Sequence, residues 1–257
     1  MTEHIQQKHN GLILELIINR PDKKNAISLA MYTALSAALT KADSDPNVRC
    51  VVLHGVGDSF TSGNDLADFA SADLSSSNNP VVTFLQTFTA FSKPVIVAVQ
   101  GDVIGVGTTL LLHADLVYAG SDSAFSLPFV KLGLCPEYAS SMLLTRLAGY
   151  VKAFEWLILG EPFSASEAHR VGIVNAVVAD PLAEALAQAE ALTRLPPSAV
   201  RESKALMKQV DAPLVAKTMA TELGVFKAAL GGAEFAEAVS AFFEKRPANY
   251  SNIEGSK

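Results

Sequence analysis

The sequence has 257 residues, of which 49% are apolar and 18% charged, so it can form one sizeable core or a core with a small appendage. Its formal net charge of −6 argues against the basic surface that nucleic-acid binding requires. No apolar run is long enough to span a membrane, and residues 1–11 are polar, so we expect a cytoplasmic protein without a membrane or nucleic-acid partner.

The apolar patterns alternate along most of the chain between strand and helix. Strands are predicted at residues 12–18, 49–54, 94–100, 116–119 and 173–178. Helices are predicted at residues 28–42, 108–113, 140–147, 151–159 and 165–171. This alternation favours an α/β fold. The Ser- and Asn-rich residues 71–80 predict a loop.

From residue 181 onward the pattern is only helical. We therefore predict an α/β core with the active site over residues 1–195 and a helical oligomerisation region over residues 196–257. An apolar stripe in that region indicates an interface, because large apolar patches usually mark one. Its members are Leu206, Val210, Leu214, Val215, Met219, Leu223 and Phe226.

Cysteine and histidine give no sign of a metal centre. Cys50 and Cys135 are far apart in the chain, with neither metal-ligand spacing nor the pattern of a disulfide framework. The five histidines are scattered, and no serine lies in a G-x-S-x-G turn. We therefore expect neither a bound metal nor a hydrolase triad.

Two glycine-containing turns, residues 59–66 and 101–107, each lead into a predicted helix. Glycine lets the backbone approach a ligand closely, because it has no Cβ. The first N–H groups of a helix have no partner within the helix and point outward. Two such ends facing each other would direct two donors at one oxygen atom, as in an oxyanion hole. The turns thus predict a site for an enolate oxygen.

Four ordered motifs resemble those of the crotonase superfamily, over about residues 11–246. They are Asn19-Arg20-Pro21 with Asn25-Ala26, Phe60-Thr61-Ser62-Gly63-Asn64-Asp65-Leu66, residues 93–101 (KPVIVAVQG) and Ala114-Asp115-Leu116. The resemblance implies a spiral of stacked ββα units followed by a helical trimerisation region. It also implies a coenzyme A thioester as substrate, no separate cofactor, and a homotrimer or a dimer of trimers.

By the same resemblance, the oxyanion donors are the backbone N–H groups of Ser62 and Val106. The resemblance also implies that the backbone of residues 23–27 and of Asp65 and Leu66 surrounds the adenine of coenzyme A. The residues implied to bind substrate or coenzyme A are Lys23, Lys24, Ala26, Gly63, Asp65, Leu66, Gly105, Phe129 and Lys245. Lysines are the candidates for phosphate contacts, whereas Asp102, Asp115 and Glu161 are interpreted as structural.

The two glutamates that activate water in hydratases of the superfamily are missing here. Their positions match Thr109 and Phe129, and neither residue can act as acid or base in hydration. Glu137, expected at a helix start, instead matches the catalytic glutamate of the peroxisomal type of Δ3,Δ2-enoyl-CoA isomerase. That group also carries Ser-Ser-Gly-Asn-Asp-Leu at its first oxyanion turn. An isomerase needs one base, which apolar neighbours such as Phe129 would desolvate.

Three functions therefore stay open from the sequence. The leading one is an acyl-CoA isomerase with Glu137 as its base. The second is a hydratase or another lyase of the same fold that uses Glu137 differently. The third is a member without catalytic activity that binds a coenzyme A thioester or serves as a structural partner.

Overall fold

The chain folds into two β-sheets and a series of helices, and the computed structural model describes residues 3–70, 79–251 and 253. The strands are β1 (Ile5–Asn10), β2 (Ile13–Ile18), β3 (Cys50–Gly55), β4 (Ser59–Thr61), β5 (Val95–Val99), β6 (Asp102–Ile104), β7 (Leu116–Ala119), β8 (Ala124–Ser126), β9 (Phe163–Ser164) and β10 (Ala176–Val177). The α-helices are α1 (Leu29–Ser44), α2 (Leu66–Ala70), α3 (Pro80–Ala90), α4 (Val106–Thr109), α5 (Ser140–Ala148), α6 (Tyr150–Phe154), α7 (Ala165–Arg170), α8 (Pro181–Thr193), α9 (Pro197–Gln209), α10 (Ala212–Leu230) and α11 (Ala233–Glu244). Shorter turns are 3-10 helices at Pro21–Lys23, Leu110–His113 and Val130–Leu132, and a π-helix at Glu155–Leu159.

Along the chain, the two strands of each successive pair belong to different sheets. The larger sheet has the order β1-β2-β3-β5-β7-β10, with β1 antiparallel to β2 and the other neighbours parallel. The smaller sheet has the order β4-β6-β8-β9, parallel except between β8 and β9. Each of the pairs β3–β4, β5–β6 and β7–β8 therefore gives one strand to each sheet before a helical segment follows. This arrangement confirms the expected spiral of ββα units.

The helices α1 and α3 pack together inside this spiral, where the rings of Tyr32 and Phe84 lie 5.3 Å apart. Ser28 caps α1 by accepting a hydrogen bond of 3.3 Å from the Met31 N–H. Asn79 caps α3 in the same way, ahead of Pro80 in its first turn. These two caps fix where α1 and α3 begin, and α3 goes on to line the cavity described below.

A separate apolar layer covers the other face of the larger sheet. There, α8 places Ala185 and Ala189 against Cys50, Val52 and neighbouring buried residues of the sheet. The thiol of Cys50 is fully buried, and burial raises its pKa to about 12. This cysteine is a packing residue, in line with the absence of metal spacing in the sequence.

The structure corrects the predicted elements in several places. The polar β1 and the three-residue strands of the smaller sheet were not predicted, because neither carries a long apolar run. The predicted helix 108–113 begins at Val106 and continues as a 3-10 turn after Thr109. Of the predicted loop 71–80, residues 71–78 lie outside the described residues, and Asn79 and Pro80 begin α3.

Candidate active site

The first glycine turn presents a different amide from the one that the resemblance implied. The Ser62 N–H already donates to the Lys24 carbonyl at 2.9 Å, so Ser62 is wrong as an oxyanion donor. On either side of Asn64, the Gly63 carbonyl accepts from the Ile27 N–H at 2.8 Å, and the Asp65 N–H donates to the Ile27 carbonyl at 3.0 Å. In this parallel bridge the N–H of Asn64 itself points away from Ile27.

The second glycine turn leads directly into α4. Gly105 has a φ of 56°, which a residue with a side chain rarely adopts, and its N–H donates to the Ser126 carbonyl at 2.9 Å. Its carbonyl accepts from Thr108 and Thr109. Among the described residues, the backbone N–H groups of Val106 and Asn64 have no hydrogen-bond acceptor.

The two turns pack closely against each other. A Cβ on Gly63, whose φ is 89°, would come within 3.0 Å of the Ile104 carbonyl oxygen. A Cβ on Gly107 would come within 2.5 Å of the Thr61 methyl group. Glycine at both positions therefore lets the turns approach each other. Asn64 and Val106, the residues that carry these amides, both lie on the wall of one cavity.

That cavity has a volume of about 440 Å³ and lies between α3 and α10. Most of its wall is apolar. The lining residues are Asn64, Val81, Val82, Leu85, Gln86, Thr89, Ala90, Val106, Glu137, Tyr138, Ala212, Ala216, Met219, Ala220, Leu223 and Phe226. Glu137 is the one carboxylate among them, and Asn64 and Val106 are the residues whose amides have no acceptor.

Glu137 does not lie in a helix, because α5 begins three residues later at Ser140. Its Oε1 accepts a hydrogen bond of 2.5 Å from the Thr109 hydroxyl. Thr109 was predicted to be unable to act as an acid or a base, and in the structure its hydroxyl instead binds the carboxylate of Glu137. A side chain on α4 thus orients the carboxylate that the sequence singled out.

Burial raises the pKa of Glu137 to about 8. The nearby carboxylate of Glu222 adds to the rise in this pKa, whereas the hydrogen bond from Thr109 lowers it. Glu137 is half-buried and borders a mostly apolar cavity, which is why the charged form is disfavoured. A glutamate in this state can exchange a proton near neutral pH.

Phe129 was predicted to contact substrate and the structure corrects this. It is 5% exposed and is not among the residues that line the cavity. Its ring packs edge-on against Phe226 at 6.5 Å, and Phe226 forms part of the cavity wall. Phe129 therefore supports the wall from behind.

The carboxylate of Asp65 has a structural role. It pairs with Arg20 at 2.8 Å and accepts hydrogen bonds from the N–H groups of Ala67 and Asp68 at the start of α2. Arg20 also donates to the Ala26 carbonyl at 3.1 Å. Arg20, which the sequence analysis quoted in a motif without giving it a role, thus joins the two segments expected to surround adenine.

The lysine candidates for phosphate lie at the surface. Lys23 and Lys24 are both exposed, and Lys24 Nζ forms an ion pair with Asp102 at 2.9 Å. Lys245 is exposed and ends α11 with a φ of 54°. Leu66 begins α2 directly after the first turn. Contacts of these residues with coenzyme A stay predictions.

The other acids interpreted as structural behave accordingly. Asp115 accepts from the Val95 N–H at 2.8 Å and pairs with Lys204 at 2.7 Å, which ties α9 to the larger sheet. Glu161 lies 3.7 Å from Lys131 at the surface. Neither residue lines the cavity.

The apolar stripe of the helical region divides into two parts. Leu206, Val210 and Leu214 are exposed, as an interface would require. Met219, Leu223 and Phe226 instead line the cavity, and Val215 is buried. The helical region therefore contributes to the site, which the sequence had assigned to residues 1–195.

Comparison with known protein families assigns this fold and site to one of them. Residues 8–253 match the family described as enoyl-CoA hydratase/isomerase. The chain belongs to the enoyl-CoA hydratase/isomerase family.

Relatives in this family have different names. Enoyl-CoA delta isomerase 2 of Rattus norvegicus is 33% identical over 92% of the chain, and the match spans 62% of the rat protein, less than two thirds of its length. A probable enoyl-CoA hydratase, echA8, of Mycobacterium tuberculosis is 29% identical over 92% of the chain and 93% of its own length. A solved enoyl-CoA hydratase/isomerase of Pseudoalteromonas atlantica T6c has a TM-score of 0.92 at 39% identity, covering 97% of the chain and all of the other.

Across the described residues, no helix is both long and apolar enough to cross a membrane. The same part of the chain contains no group of three or more His, Cys, Asp or Glu side chains arranged to hold a metal ion.

Proposed function

We propose that this protein is an acyl-CoA isomerase that converts 3-enoyl-CoA thioesters to 2-enoyl-CoA thioesters. The observation that carries the proposal is a single carboxylate, Glu137, on an apolar cavity that is also lined by Asn64 and Val106, whose backbone amides are unpaired. This set supplies one base and one oxyanion hole. Moving a double bond by one position requires no more than these.

In the first step, the Glu137 carboxylate takes a proton from C2 of the substrate. The electron pair of the broken C2–H bond moves into the C2–C1 bond, and negative charge develops on the thioester oxygen. The N–H groups of Asn64 and Val106 donate to that oxygen. Such fixed donors stabilise a developing charge without reorganising, and each is worth roughly 10²–10³ in rate.

In the second step, the protonated Glu137 returns the proton to C4. The electrons of the former C3–C4 double bond form the new C4–H bond, and the double bond now lies between C2 and C3. Atoms and charge balance, because the glutamate ends as the carboxylate that began the cycle. One side chain acts in turn as base and acid, so no second carboxylate is needed.

The surroundings of Glu137 suit this chemistry. A base with a pKa of about 8 is better matched to a weak carbon acid than an ordinary carboxylate is. Apolar side chains on α3 and α10 exclude water, so the dienolate would meet few competing proton donors. The same apolar wall suits the hydrocarbon part of an acyl chain, while Lys23, Lys24 and Lys245 stay candidates for the phosphates of coenzyme A.

Hydration is the less well-supported reading. Water addition needs one group to take the proton of water and another to protonate C2. Thr109 is committed to Glu137 by its hydrogen bond, and Phe129 lies behind the cavity wall. Because one relative is named as a probable enoyl-CoA hydratase, hydration is measured beside isomerisation in the experiment below.

The test follows 3-enoyl-CoA and 2-enoyl-CoA in parallel at the same enzyme concentration. The expected result is rapid appearance of the conjugated 2-enoyl absorbance from the first substrate and slow loss of that absorbance with the second. Faster hydration of 2-enoyl-CoA than isomerisation would overturn the proposal in favour of a hydratase. Tight binding of both thioesters with no turnover would favour a non-catalytic member.

A further inference from the structure

A second buried glutamate, Glu222, lies close to the site but is not among the residues that line the cavity. It belongs to α10 and is 7% exposed. Its Oε2 accepts from the Ala139 N–H at 2.5 Å, and its Oε1 accepts from the Ser141 N–H at 3.0 Å. The Ser141 hydroxyl donates to the same Oε1 at 2.5 Å. All three partners are donors, so the arrangement fits a carboxylate rather than a carboxylic acid.

These three bonds replace a cap that α5 lacks. The residue before α5 is Ala139, which has no side chain to accept from the first N–H groups of the helix. Glu222 supplies an acceptor from another helix, and a negative charge is favourable at a helix N-terminus. The segment joining Glu137 to α5 is therefore held by a residue some eighty positions further along the chain.

The backbone of this segment needs such support. Tyr138 and Ala139 have φ values of 62° and 57°, a conformation that non-glycine residues rarely adopt. Strained residues of this kind persist only where the surrounding structure fixes them, and they are frequent at functional sites. Here the N–H of the second strained residue donates directly to Glu222. The strain lies immediately after Glu137.

Other contacts hold the far side of the same turn. The Tyr138 carbonyl lies 2.7 Å from His113 Nε2, and the two rings stack at 3.9 Å. The Tyr138 hydroxyl donates to the Leu85 carbonyl at 3.1 Å. The backbone of Glu137 takes part as well, since its carbonyl accepts from the Ser140 N–H at 3.1 Å. The turn is thus fixed from α3, from the 3-10 turn after α4 and, through Glu222, from α10.

We propose that Glu222 is a positioning residue for Glu137, holding the Tyr138–Ala139 turn so that the Glu137 carboxylate faces Thr109 and the cavity. The inference rests on the proposed function only in assigning Glu137 as the base. It gives α10 a role in catalysis through another residue, in addition to its contribution to the cavity wall.

Electrostatics adds a second effect of the same residue. The titratable groups that interact electrostatically with Glu137 are Tyr32, Cys135, Tyr138 and Glu222. Glu222 is the carboxylate of this set, and its charge helps to raise the pKa of Glu137. Removing that charge lowers the pKa of Glu137, so the acid limb of the pH–rate profile moves to lower pH. A merely structural cap would not produce that shift.

The test compares Glu222→Gln, Glu222→Ala and Ser141→Ala with the wild-type protein. Glutamine keeps one acceptor but places an amide N–H₂ against a backbone donor, whereas alanine removes both acceptors. Ser141→Ala removes one donor and keeps the charge of Glu222. The matched control is Asp180→Ala, which removes a carboxylate cap from α8, remote from the cavity.

We expect Glu222→Ala to lower kcat by about 10²-fold, the effect of misplacing a catalytic group by about 1 Å, with KM changed by less than about threefold. Glu222→Gln is expected to be intermediate, and in both the acid limb of kcat/KM moves to lower pH. Ser141→Ala should lower kcat slightly and leave the acid limb in place. Asp180→Ala should lower Tm while kcat and the acid limb stay at their wild-type values.

Folded Glu222 variants with wild-type kcat and an unshifted acid limb would overturn the inference. An equal loss of kcat in Asp180→Ala would overturn it too, because the effect would then be general destabilisation. Infrared titration of the Glu137 carboxyl, assigned by its loss in Glu137→Gln, separates this outcome from failure of the proposed function. If the wild-type protein isomerises nothing, a shifted titration in Glu222→Gln still shows that Glu222 acts on Glu137, and an unshifted one overturns the inference.

Discussion

The Thr109 hydroxyl on α4 donates a hydrogen bond of 2.5 Å to Oε1 of Glu137, the carboxylate that follows the 3-10 turn Val130–Leu132. This contact joins the helix of the second glycine turn to the candidate base. Because a hydroxyl donor stabilises the charged carboxylate, it opposes the rise in the pKa of Glu137 that burial causes. The position that carries an acid in hydratases of the superfamily thus tunes and orients a different acid here.

Replacing Thr109 with valine should raise the pKa of Glu137 further. A hydrogen bond to a charged group is worth about 1.5–3 kcal/mol, so the deprotonated fraction at neutral pH should fall by roughly tenfold or more. The measurement is the pH profile of kcat/KM, in which the acid limb moves to higher pH. Thr109→Ser keeps the hydroxyl and should retain most of the activity. An acid limb in Thr109→Val that matches wild type would show that this bond does not act on the base.

Glu137 also makes stability depend on pH. Its pKa rises from 4.5 to about 8 on folding, so between these values the folded protein keeps a proton that the unfolded chain releases. The free energy of unfolding therefore falls as pH rises through this window, by up to about 1.4 kcal/mol per pH unit. Glu137→Gln lacks this term, so its denaturation midpoint should exceed that of wild type increasingly from pH 5 to pH 8. Parallel stability curves for the two proteins would contradict the raised pKa.

The oxyanion assignment predicts a loss of activity on removal of one backbone N–H. Val106→Pro deletes the donor at the first position of α4, where the fixed φ of proline is tolerated. Turnover should fall by about 10²–10³-fold, with a modest decrease in Tm. Val106→Ala keeps the amide and controls for the lost side chain. Near-normal turnover in a folded Val106→Pro protein would mean that this amide does not face the thioester.

The sequence predicted some of the strands and site residues of this protein and missed others. Long apolar runs such as 94–100 gave the strands of the larger sheet, because a buried parallel strand has a strong signal. The strands β4, β6 and β8 have three residues each, which is too short to give a recognisable strand pattern in the sequence. Glu137 and Val106 were found by motif, and the cavity brings them together.

The sequence failed where a role depends on which way a backbone group points. Ser62 and Asn64 both belong to the first glycine turn, and only the bridge with Ile27 shows that the amide of Asn64 is free. Glu222 had no motif at all, because its function depends on α10 packing beside α5. Likewise, the spacing of Met219 and Leu223 revealed an apolar stripe, but it could not show that these two residues line a cavity.

The surface predicts a closed homo-oligomer, with the trimer or dimer of trimers taken from the superfamily. Leu206 and Met207 on α9 and Val210 directly after it are 61%, 84% and 79% exposed, so a single chain leaves an apolar face bare. Light scattering should give three or six times the chain mass of 27.2 kDa. Replacing Met207 and Val210 with aspartate should lower that mass. A monomer at micromolar concentration would contradict the prediction.

The assignment of Glu137 as the single base is tested most directly by turnover of 3-enoyl-CoA in Glu137→Gln beside wild type, with affinity for coenzyme A measured on the same preparations. The variant keeps the size of the side chain and loses the base, so we expect turnover to fall by at least about 10²-fold while affinity is retained. Glu137→Asp, which keeps a carboxylate at a shorter reach, should lie between the two. Turnover of Glu137→Gln within a few-fold of wild type would show that another group takes the proton from C2.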